Sequence, residues 1–285
     1  MEIENLGGDT MEAKKMLILS NMAGSGFNED VVLKEAFEAD GHCVDIKSVD
    51  YNEADDSNYE IVMRRNTWVS KEEDTAYLHQ HNLKLIERLT AKNMKTVNLI
   101  GLDGLGKSYL VDLFKANERV IPTIKSQADL TLLPDCEKYV VKDIKSFGNG
   151  LYQKIVAKED LERVYSEGDI IQAFMNFKAE IQVYYVGKKL MYTFEYTPSK
   201  YPHYPEPRLI ELTEEEQMLA KHFVDVANFK HGFVRIDFLR LQDDSLILME
   251  IEDHAPFMNL LRLPLELREA VVAEYKQNIY DYLAE

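Results

Sequence analysis

The sequence is short of cysteine and of basic residues. Only two cysteines, Cys43 and Cys136, occur among 285 residues, and neither lies in the short spacing of a zinc or redox site. The 33 basic residues are outnumbered by 50 acidic ones, which gives a formal net charge of -17. Such a field repels nucleic acids and anionic membranes. We therefore expect two reduced thiols, and neither nucleic acid nor a membrane as partner.

Long apolar runs are also missing from this sequence. No stretch approaches the ~18 residues that span a bilayer, and the acidic segment 1–10 lacks the basic and apolar parts of a signal peptide. These absences favour a cytoplasmic location. At roughly 150 residues per domain, a chain of this length is expected to form about two folded units.

The pattern of apolar residues changes after about residue 105. Before that point, short apolar strands alternate with amphipathic helices, which indicates an open parallel sheet. These strands are predicted at 16–20, 42–49, 59–64 and 96–100. Beyond it, paired strands dominate, with hairpins predicted at 139–155, 179–196 and 232–253. The pattern predicts an α/β (α+β) fold whose later part is rich in sheet.

Two further features lie between the second and the third predicted hairpin. The stretch 196–210 holds four prolines among several tyrosines, which predicts an extended loop. Lys200 and Arg208 in this loop could close over an acidic substrate, and a packed surface loop is the alternative. Thr213 and Glu216 then have the spacing of a capping box, which predicts that a helix begins here.

The third hairpin carries charged residues in strand alternation. The two-residue period of a strand puts Arg235 and Asp237 on one face of its first strand, and Glu250 and Glu252 on one face of its second. With a connection at 242–245, Asp237 lies opposite Glu250 and Arg235 lies opposite Glu252. The same period predicts that the apolar residues of the second strand share the other face, namely Ile247, Met249 and Ile251.

Facing carboxylates repel each other unless a positive charge lies between them. The carboxylates Asp237, Glu250 and Glu252 therefore predict a site for magnesium, which prefers hard oxygen ligands. The alternative is a solvated hairpin face whose charges pair with Arg235 and nearby lysines.

A lysine in the first hairpin precedes a turn that contains glycine. Lys142 leaves an apolar strand just before this turn, in which backbone N–H groups can approach phosphate oxygens closely. The residues of the turn that would contact a phosphate are Ser146, Phe147, Gly148 and Gly150. An ordinary surface hairpin is the alternative interpretation.

A second phosphate-binding pattern lies at 101–108. Its sequence GLDGLGKS matches the P-loop pattern GxxxxGK[ST] after a strand and before a helix. No apolar strand ending in aspartate follows at the spacing that P-loop NTPases show. A P-loop kinase or NTPase that uses Lys107 and Ser108 stays an alternative hypothesis.

Taken in order, these segments resemble the ATP-grasp superfamily, especially ligases like glutathione synthetase and the ribosomal-protein glutamate ligases. The strand that ends in Arg64 looks like the end of that family's N-terminal domain. Lys107 looks like its first nucleotide-binding lysine, and Lys142 with the glycine-containing turn looks like the second lysine and the flap. The P-loop match would then be partly a coincidence.

Later segments carry the same resemblance. The run Gln172, Ala173, Phe174 and Met175 resembles the hinge strand whose backbone reads adenine, and Glu180 the acidic residue after it. The pairs Arg235-x-Asp237 and Glu250-x-Glu252 resemble the family's closing R-x-D and E-x-N motifs. Glu252 replaces the family's asparagine, and Gln182 stands where an arginine is common, so a catalytically degenerate nucleotide-binding module is a further alternative.

The resemblance implies an ATP-grasp fold with three parts: an N-terminal open α/β domain at 1–102, a small lid at 103–169 and a C-terminal mixed-sheet domain at 170–285. It implies a ligase that joins a carboxylate and an amine through an acyl-phosphate, with ATP and Mg²⁺ (or Mn²⁺) as cofactors. Asp237, Glu250 and Glu252 would hold the metal, and Arg235 and Lys142 would be catalytic. Arg64, Lys200 and Arg208 would contact small-molecule or peptide substrates, and a homodimer would fit this family.

Overall fold

The computed structural model describes residues 12–21, 29–48, 58–67, 84–99, 101–102, 106–143, 153–198, 206–254 and 256–285. The predicted turn residues Ser146, Phe147, Gly148 and Gly150 lie outside these ranges, and so does Lys200. The chain divides into two compact units. Unit 1 comprises 1–100, 230–233 and 254–285, and unit 2 comprises 101–229 and 234–253.

Unit 1 is built on a four-stranded parallel sheet with the strand order β2-β1-β3-β4. Its strands are β1 (Lys15–Leu19), β2 (Cys43–Lys47), β3 (Ile61–Arg64) and β4 (Lys95–Val97), and its helices are α1 (Glu29–Ala39), α2 (84–91 of the described residues) and α6 (Leu265–Ala284). Every residue from Met16 to Leu19 is fully buried. Burial of successive residues means that both faces of the sheet are covered, as is usual for parallel strands.

The C-terminal helix α6 belongs to unit 1, whereas we predicted that 170–285 form one domain. In the structure Tyr275 packs edge-on against Phe37 of α1 with ring centroids 6.3 Å apart. Lys276 also pairs with Asp40, with 2.7 Å between nitrogen and oxygen. The periodicity of a helix shows which of its faces is buried but does not show against which element, so the sequence could not assign α6 to a unit.

Unit 2 contains two sheets, in which every strand pair of the four-stranded sheet and the pairs β9–β10, β10–β11 and β12–β13 of the five-stranded sheet are antiparallel. The five-stranded sheet has the order β11-β10-β9-β12-β13 and the four-stranded sheet the order β5-β8-β6-β7. Their strands are β5 (Thr123–Ile124), β6 (Lys138–Asp143), β7 (Gln153–Ala157), β8 (Asp169–Ala173), β9 (Phe177–Val186), β10 (Lys189–Tyr196), β11 (Arg208–Leu209), β12 (Phe233–Leu241) and β13 (Leu246–Glu252). The helices are α3 (Ser108–Lys115), α4 (Leu161–Val164) and α5 (Glu214–Val226). The three predicted hairpins are present as β6–β7, β9–β10 and β12–β13.

Strand β8 pairs with β6 in the four-stranded sheet. We predicted that this strand begins the C-terminal domain at residue 170, but its partners lie in the predicted lid. Hydrogen bonds in an antiparallel ladder join segments distant in sequence, and the apolar pattern of a strand does not name its partner.

The capping box of α5 is formed as predicted. The Thr213 hydroxyl accepts a hydrogen bond from the backbone N–H of Glu216, and the Glu216 carboxylate accepts one from the N–H of Thr213 at 2.9 Å. Phe223 and Val224 of this helix are buried in the core of the five-stranded sheet. The cap thus sets where the helix begins, and its apolar face holds it on the sheet.

The final hairpin has the predicted pairing at its charged residues. Asp237 lies opposite Glu250, and Arg235 lies opposite Glu252. On β12 the opposite face carries Val234, Ile236 and Phe238, all buried in the core of the sheet. The alternation that we read along β12 is therefore confirmed.

A β-bulge separates the charged end of this hairpin from its turn. Phe238 pairs with Leu248, not Met249, so the connection at 241–245 is one residue longer than predicted. Met249 is the extra residue in β13, and it restores the predicted register before Glu250. The predicted pairing of the carboxylates is right because the longer connection shifts the register by one residue and the bulge at Met249 shifts it back.

The bulge changes which apolar residues of β13 face the core. Leu246, Leu248 and Ile251 lie in the hydrophobic core, whereas Ile247 and Met249 are only partly buried. The prediction that Ile247 and Met249 share a face with Ile251 is wrong. An extra residue shifts the two-residue alternation by one step, and nothing in the apolar pattern of this strand marks its position.

In the described part of the chain, no helix has the length and the apolar character to cross a membrane.

Gly232 in unit 1 is expected to be sensitive to substitution. Its φ is +100°, and a Cβ atom there would lie 2.2 Å from Val97 Cγ1 and 2.5 Å from the Asn98 side-chain oxygen. Asn98 cannot easily move, because it donates to the Phe233 carbonyl at 2.7 Å and accepts from the Phe233 N–H at 3.1 Å. We predict that Gly232→Ala lowers the free energy of unfolding by about 1–2 kcal/mol from backbone strain and by a further ~1–3 kcal/mol from the clash.

Gly168→Ala is the matched control, because Gly168 has a φ of +101° and no neighbouring atom within 4 Å of an added Cβ. Urea denaturation of both variants measures the difference. Equal losses of stability in the two would show that the contact with Asn98 is not limiting.

Candidate functional site

The candidate site lies on the polar face of the five-stranded sheet of unit 2. The apolar face of this sheet carries Ile181 and Val183 of β9 together with the buried residues of β12 and β13. On the opposite face, polar side chains recur at every second position of the three strands: Glu180, Gln182 and Tyr184 on β9, Arg235 and Asp237 on β12, and Glu250 and Glu252 on β13. Strand alternation therefore separates a hydrophobic core from a charged surface.

Arg235 neutralises two carboxylates at once. Its Nε donates to Asp237 Oδ1 at 2.7 Å, and its Nη2 donates to Asp237 Oδ2 at 2.7 Å. The same Nη2 lies 3.0 Å from Glu252 Oε1. Arg235 is 8% exposed and Asp237 1% exposed, so this fork-like pair is nearly dry.

Burial dominates the protonation of this pair. Burial raises the pKa of Asp237 to about 7, although the charge of Arg235 opposes the rise, and the carboxylates of Glu252 and Glu180 add to it. Burial by itself would lower the pKa of Arg235, but the charges of Asp237 and Glu252 raise that pKa instead. The charged form of Arg235 is thus stabilised by the two carboxylates that it contacts.

Lys107 is the second cation of the site. It precedes the first residue of α3, is 4% exposed and forms an ion pair with Glu250. A lysine from the loop before a helix thus meets a carboxylate of β13. This places one of the two predicted phosphate-binding lysines beside the predicted metal ligands.

The segment that carries Lys107 is fastened along β13. Asp253, which is 1% exposed, accepts a hydrogen bond from the Leu102 N–H at 2.8 Å. The Tyr109 hydroxyl accepts one from the Ile251 N–H at 2.8 Å. A Cβ atom on Gly101 would lie 2.0 Å from the Asp253 carboxylate. A larger residue at 101 would therefore have to displace the Asp253 carboxylate, which gives this glycine a packing role independent of the P-loop pattern.

The sequence did not lead us to predict Tyr184 and Asp253 as residues of this site. Tyr184 donates to Gln182 Oε1 at 2.6 Å, and Gln182 donates to Glu180 Oε1 at 2.7 Å. This chain of hydrogen bonds orients the Glu180 carboxylate. The alternation of polar residues along β9 is the sequence signal that could have identified Tyr184. Asp253, the other missed residue, directly follows Glu252 and could not be distinguished from a solvated turn residue.

The charge balance of the polar face favours a bound cation. Among the described residues, four carboxylates, Glu180, Asp237, Glu250 and Glu252, share this face with two cations, Arg235 and Lys107, so carboxylates outnumber cations. Hard carboxylate oxygens are the ligands that magnesium prefers, so the donor set fits a divalent ion. Within the described ranges, no three acidic, histidine or cysteine side chains already surround a common metal position. Arg235 and Lys107 hold the carboxylates in the structure.

The other nucleotide-site candidates lie on the four-stranded sheet. Lys142 of β6 pairs with Ile170 of β8, and it lies on the face opposite Tyr139 and Val141, which are buried in the core of this sheet. Gln172 donates to Thr123 Oγ1 at 3.0 Å. Convergence of Lys142 with Asp237 on one nucleotide stays a prediction.

Two backbone N–H groups of the predicted hinge strand already donate hydrogen bonds within the protein. The N–H of Ala173 donates to the Pro122 carbonyl at 3.1 Å, and the N–H of Phe174 donates to the Lys138 carbonyl at 3.2 Å. These bonds hold β8 in its sheet. An adenine base at this strand would therefore use carbonyl oxygens or the backbone of Met175.

Two of the predicted substrate residues, Arg64 and Arg208, lie on the described strands β3 and β11. Arg64 ends β3 in unit 1 and is 1% exposed. Arg208 lies in β11, where its side chain is 73% exposed and pairs with Glu195 at 2.5 Å. An exposed pair of this kind contributes little to stability, so Arg208 can exchange partners.

Comparison with solved structures identifies the fold of this chain. No protein-family model and no curated protein matches this chain. Among solved structures, D-cycloserine synthetase DcsG matches with a TM-score of 0.69 and 17% identity over 92% of this chain and 99% of that chain. The ATP-grasp ligase PsnB, complexed with a minimal precursor, Mg and ADP, gives 0.62 and 13% over 94% and 100%.

D-alanine–D-alanine ligase from Bacillus anthracis, complexed with ATP, gives a TM-score of 0.63 and 14% identity over 95% of this chain and 98% of that chain. Structural likeness at such low identity reports the arrangement of the backbone. The mixed α/β architecture and the resemblance seen in the sequence are confirmed by it: this chain has the ATP-grasp fold.

Proposed function

We propose that this protein is an ATP-dependent carboxylate–amine ligase that forms an amide or peptide bond and releases ADP and phosphate. The observation that carries the proposal is the charged face of unit 2, where Arg235 and Lys107 form ion pairs with three carboxylates, Asp237, Glu252 and Glu250. Such a face suits phosphoryl transfer, which needs placement and charge stabilisation more than a nucleophilic side chain. The solved neighbours of the fold are ligases, which supports the same assignment.

In the proposed reaction, a substrate carboxylate attacks the γ-phosphorus of ATP, the bond to ADP breaks, and an acyl-phosphate forms. An amine then attacks the acyl carbon, inorganic phosphate leaves, and loss of a proton gives the amide. Arg235 stabilises the negative charge that develops on the transferred group and on the tetrahedral carbon. It can do so because its pKa stays above the ordinary value.

ATP is assigned to residues of both sheets of unit 2. Lys107, Lys142 and the turn with Ser146, Phe147, Gly148 and Gly150 would neutralise its phosphates. The adenine and ribose would contact Gln172 to Met175 and Glu180. PsnB and D-alanine–D-alanine ligase have been solved with ADP and ATP respectively, which is consistent with nucleotide binding here.

Magnesium is assigned to Asp237, Glu250 and Glu252, with manganese as the alternative. A bound divalent ion would offset the charge of the phosphates and orient them. The excess of carboxylates over cations among the described residues of the polar face is the reason for this assignment. Glu252 in place of asparagine adds a charge to the set and holds Arg235 from the second side.

The substrates are assigned only by class. A carboxylate and an amine, free or within a peptide, would contact Arg64, Lys200 and Arg208. PsnB has also been solved with a precursor peptide, and the Bacillus anthracis protein is a D-alanine–D-alanine ligase, which is consistent with either a free or a peptide substrate here. We also propose that the protein is cytoplasmic and forms a homodimer.

The first test is release of ADP with pooled amino acids and small carboxylic acids, followed by mass spectrometry of condensed products. We predict a product whose mass equals the sum of an acid and an amine minus one water, formed only with ATP and a divalent ion. ATP binding without ADP release across broad pools would instead favour the degenerate nucleotide-binding module.

Lys142 distinguishes a ligase from a P-loop enzyme. We predict that Lys142→Ala weakens ATP binding at least about tenfold, since it removes a charge-assisted contact with phosphate. Isothermal titration with a non-hydrolysable ATP analogue measures the loss. Lys138→Ala is the control, because Lys138 lies on the same face of β6 but is exposed.

Unchanged ATP affinity in Lys142→Ala, with affinity lost in Lys107→Ala, would support the P-loop hypothesis. The assignment of the flanking elements to units argues against that hypothesis. Strand β4, which precedes the pattern, belongs to unit 1, and helix α3 belongs to unit 2. A P-loop instead joins a strand and a helix of one βα layer.

Asp237 tests the metal assignment. We predict that Asp237→Asn lowers the rate of ADP release by about 100-fold, because it removes a metal ligand and leaves Arg235 to Glu252 alone. Titration with Mn²⁺, followed by electron paramagnetic resonance, should show weaker binding to the same variant. Asp112→Asn, at an exposed position of α3, should change neither quantity. Full Mn²⁺ affinity in Asp237→Asn would remove this residue from the metal site.

A further inference from the structure

Arg64 lies where an open α/β sheet binds its ligands. The sheet of unit 1 has the order β2-β1-β3-β4, so successive connections leave β1 toward one edge and reach β3 on its other side. In parallel sheets of this topology, ligands bind beyond the carboxyl ends of the two strands at which the order reverses. Here those strands are β1 and β3, and Arg64 is the last residue of β3.

The neighbouring arginine is fully neutralised. Arg65 is 0% exposed; its Nη2 lies 2.8 Å from Glu29 Oε1 and its Nε 3.2 Å from Asp30 Oδ1. Asn66 donates to Asp30 Oδ2 at 2.8 Å. The backbone N–H of Met258 donates to Glu29 at 2.8 Å. Arg65 is therefore paired with two carboxylates, although its Nη1, like that of Arg64, is buried without a hydrogen-bond partner among the described residues.

Arg64 has no such counter-charge among the described residues. It is 1% exposed, its Nε donates to Thr67 Oγ1 at 2.9 Å, and its Nη1 is buried without a hydrogen-bond partner in this part of the chain. His254, the ionisable neighbour with which it interacts electrostatically, is a base and brings no negative charge. Burial alone lowers the pKa of Arg64 to about 9, so the group is still charged at neutral pH.

A buried guanidinium without an anion destabilises a protein unless a ligand supplies the missing charge. The missing charge here is a single one, because Arg64 is a single cation. A carboxylate supplies one negative charge and two oxygens for the guanidinium edge. A phosphate dianion would leave an uncompensated negative charge in the same buried position.

We propose that Arg64, at the carboxyl end of β3, is the receptor for a carboxylate that the substrate keeps throughout the reaction. This inference rests on the proposed function and narrows its substrate class: one of the two joined molecules carries a free carboxylate besides the group that reacts. Arg64 binds and orients that molecule, and its neutral Thr67 partner leaves the guanidinium edge to the ligand.

The experiment compares Arg64→Met and Arg65→Met in the full chain. The probes are the common L-amino acids, D-alanine and D-serine, each against its own α-carboxamide, with inorganic phosphate and sulfate as further anions. Thermal unfolding of the ligand-free proteins is measured first, and isothermal titration of the stabilising probes second. Neither measurement needs ATP.

Without ligand, we expect Arg64→Met to unfold at the same or a higher temperature than the wild type, because it removes an uncompensated buried charge. Arg65→Met should unfold at a lower temperature, because it leaves Glu29 and Asp30 without their cation. With ligand, at least one carboxylate should stabilise the wild type. Its carboxamide should bind at least about tenfold more weakly, and Arg64→Met should lose the same factor.

Three results would overturn the inference: a fall in stability of Arg64→Met as large as that of Arg65→Met, no probe carboxylate that stabilises the wild type, or phosphate binding through Arg64 as tightly as any carboxylate. The outcome is separate from that of the ligase assay. Carboxylate binding through Arg64 without ADP release would refute the proposed reaction and leave the receptor in place. Amide formation that is insensitive to Arg64→Met would support the proposed reaction and refute the role of Arg64 as the carboxylate receptor.

Discussion

Mutual repulsion of carboxylates on one face of a sheet is the constraint on which the candidate site of unit 2 depends. Glu180, Asp237, Glu250 and Glu252 cannot share a poorly hydrated surface unless cations are held among them. The chain supplies Arg235 from within the sheet and Lys107 from the loop before α3. Among the described residues, carboxylates outnumber cations on this face, and a bound divalent cation would offset that excess.

The geometry that meets this constraint comes from packing along β13. A bulge at Met249 returns Glu250 and Glu252 to the face of Arg235 and Asp237 after the turn has displaced the register by one residue. Hydrogen bonds from Leu102 to Asp253 and from Ile251 to Tyr109 then bring Lys107 within reach of Glu250. The site is therefore assembled by an irregular strand and by the backbone segment beside it.

The same reasoning distinguishes the two adjacent arginines of unit 1. Arg65 is enclosed by Glu29 and Asp30 and stabilises the end of α1, whereas Arg64 is buried with a hydroxyl as its hydrogen-bond partner. Proteins commonly accept local instability at positions where a ligand must bind. Equal burial thus has opposite meanings for the two side chains, because burial is favourable for a paired charge and costly for an unpaired one.

The sequence alone determined what depends on short-range periodicity: the longer strands of both units, the α5 cap, the alternation of Arg235 and Asp237, and the ATP-grasp resemblance that the fold confirms. The two-residue strands β5 and β11 were not predicted, and β11 lies in the stretch 196–210 that was predicted to be a loop. Only the tertiary structure decided which elements pack together. It placed α6 in unit 1, β8 beside β6 and the bulge at Met249, and it showed that Arg65 is neutralised while Arg64 is not. Pattern records which face of an element is buried, but pairing, register and counter-charges depend on residues far away in the chain.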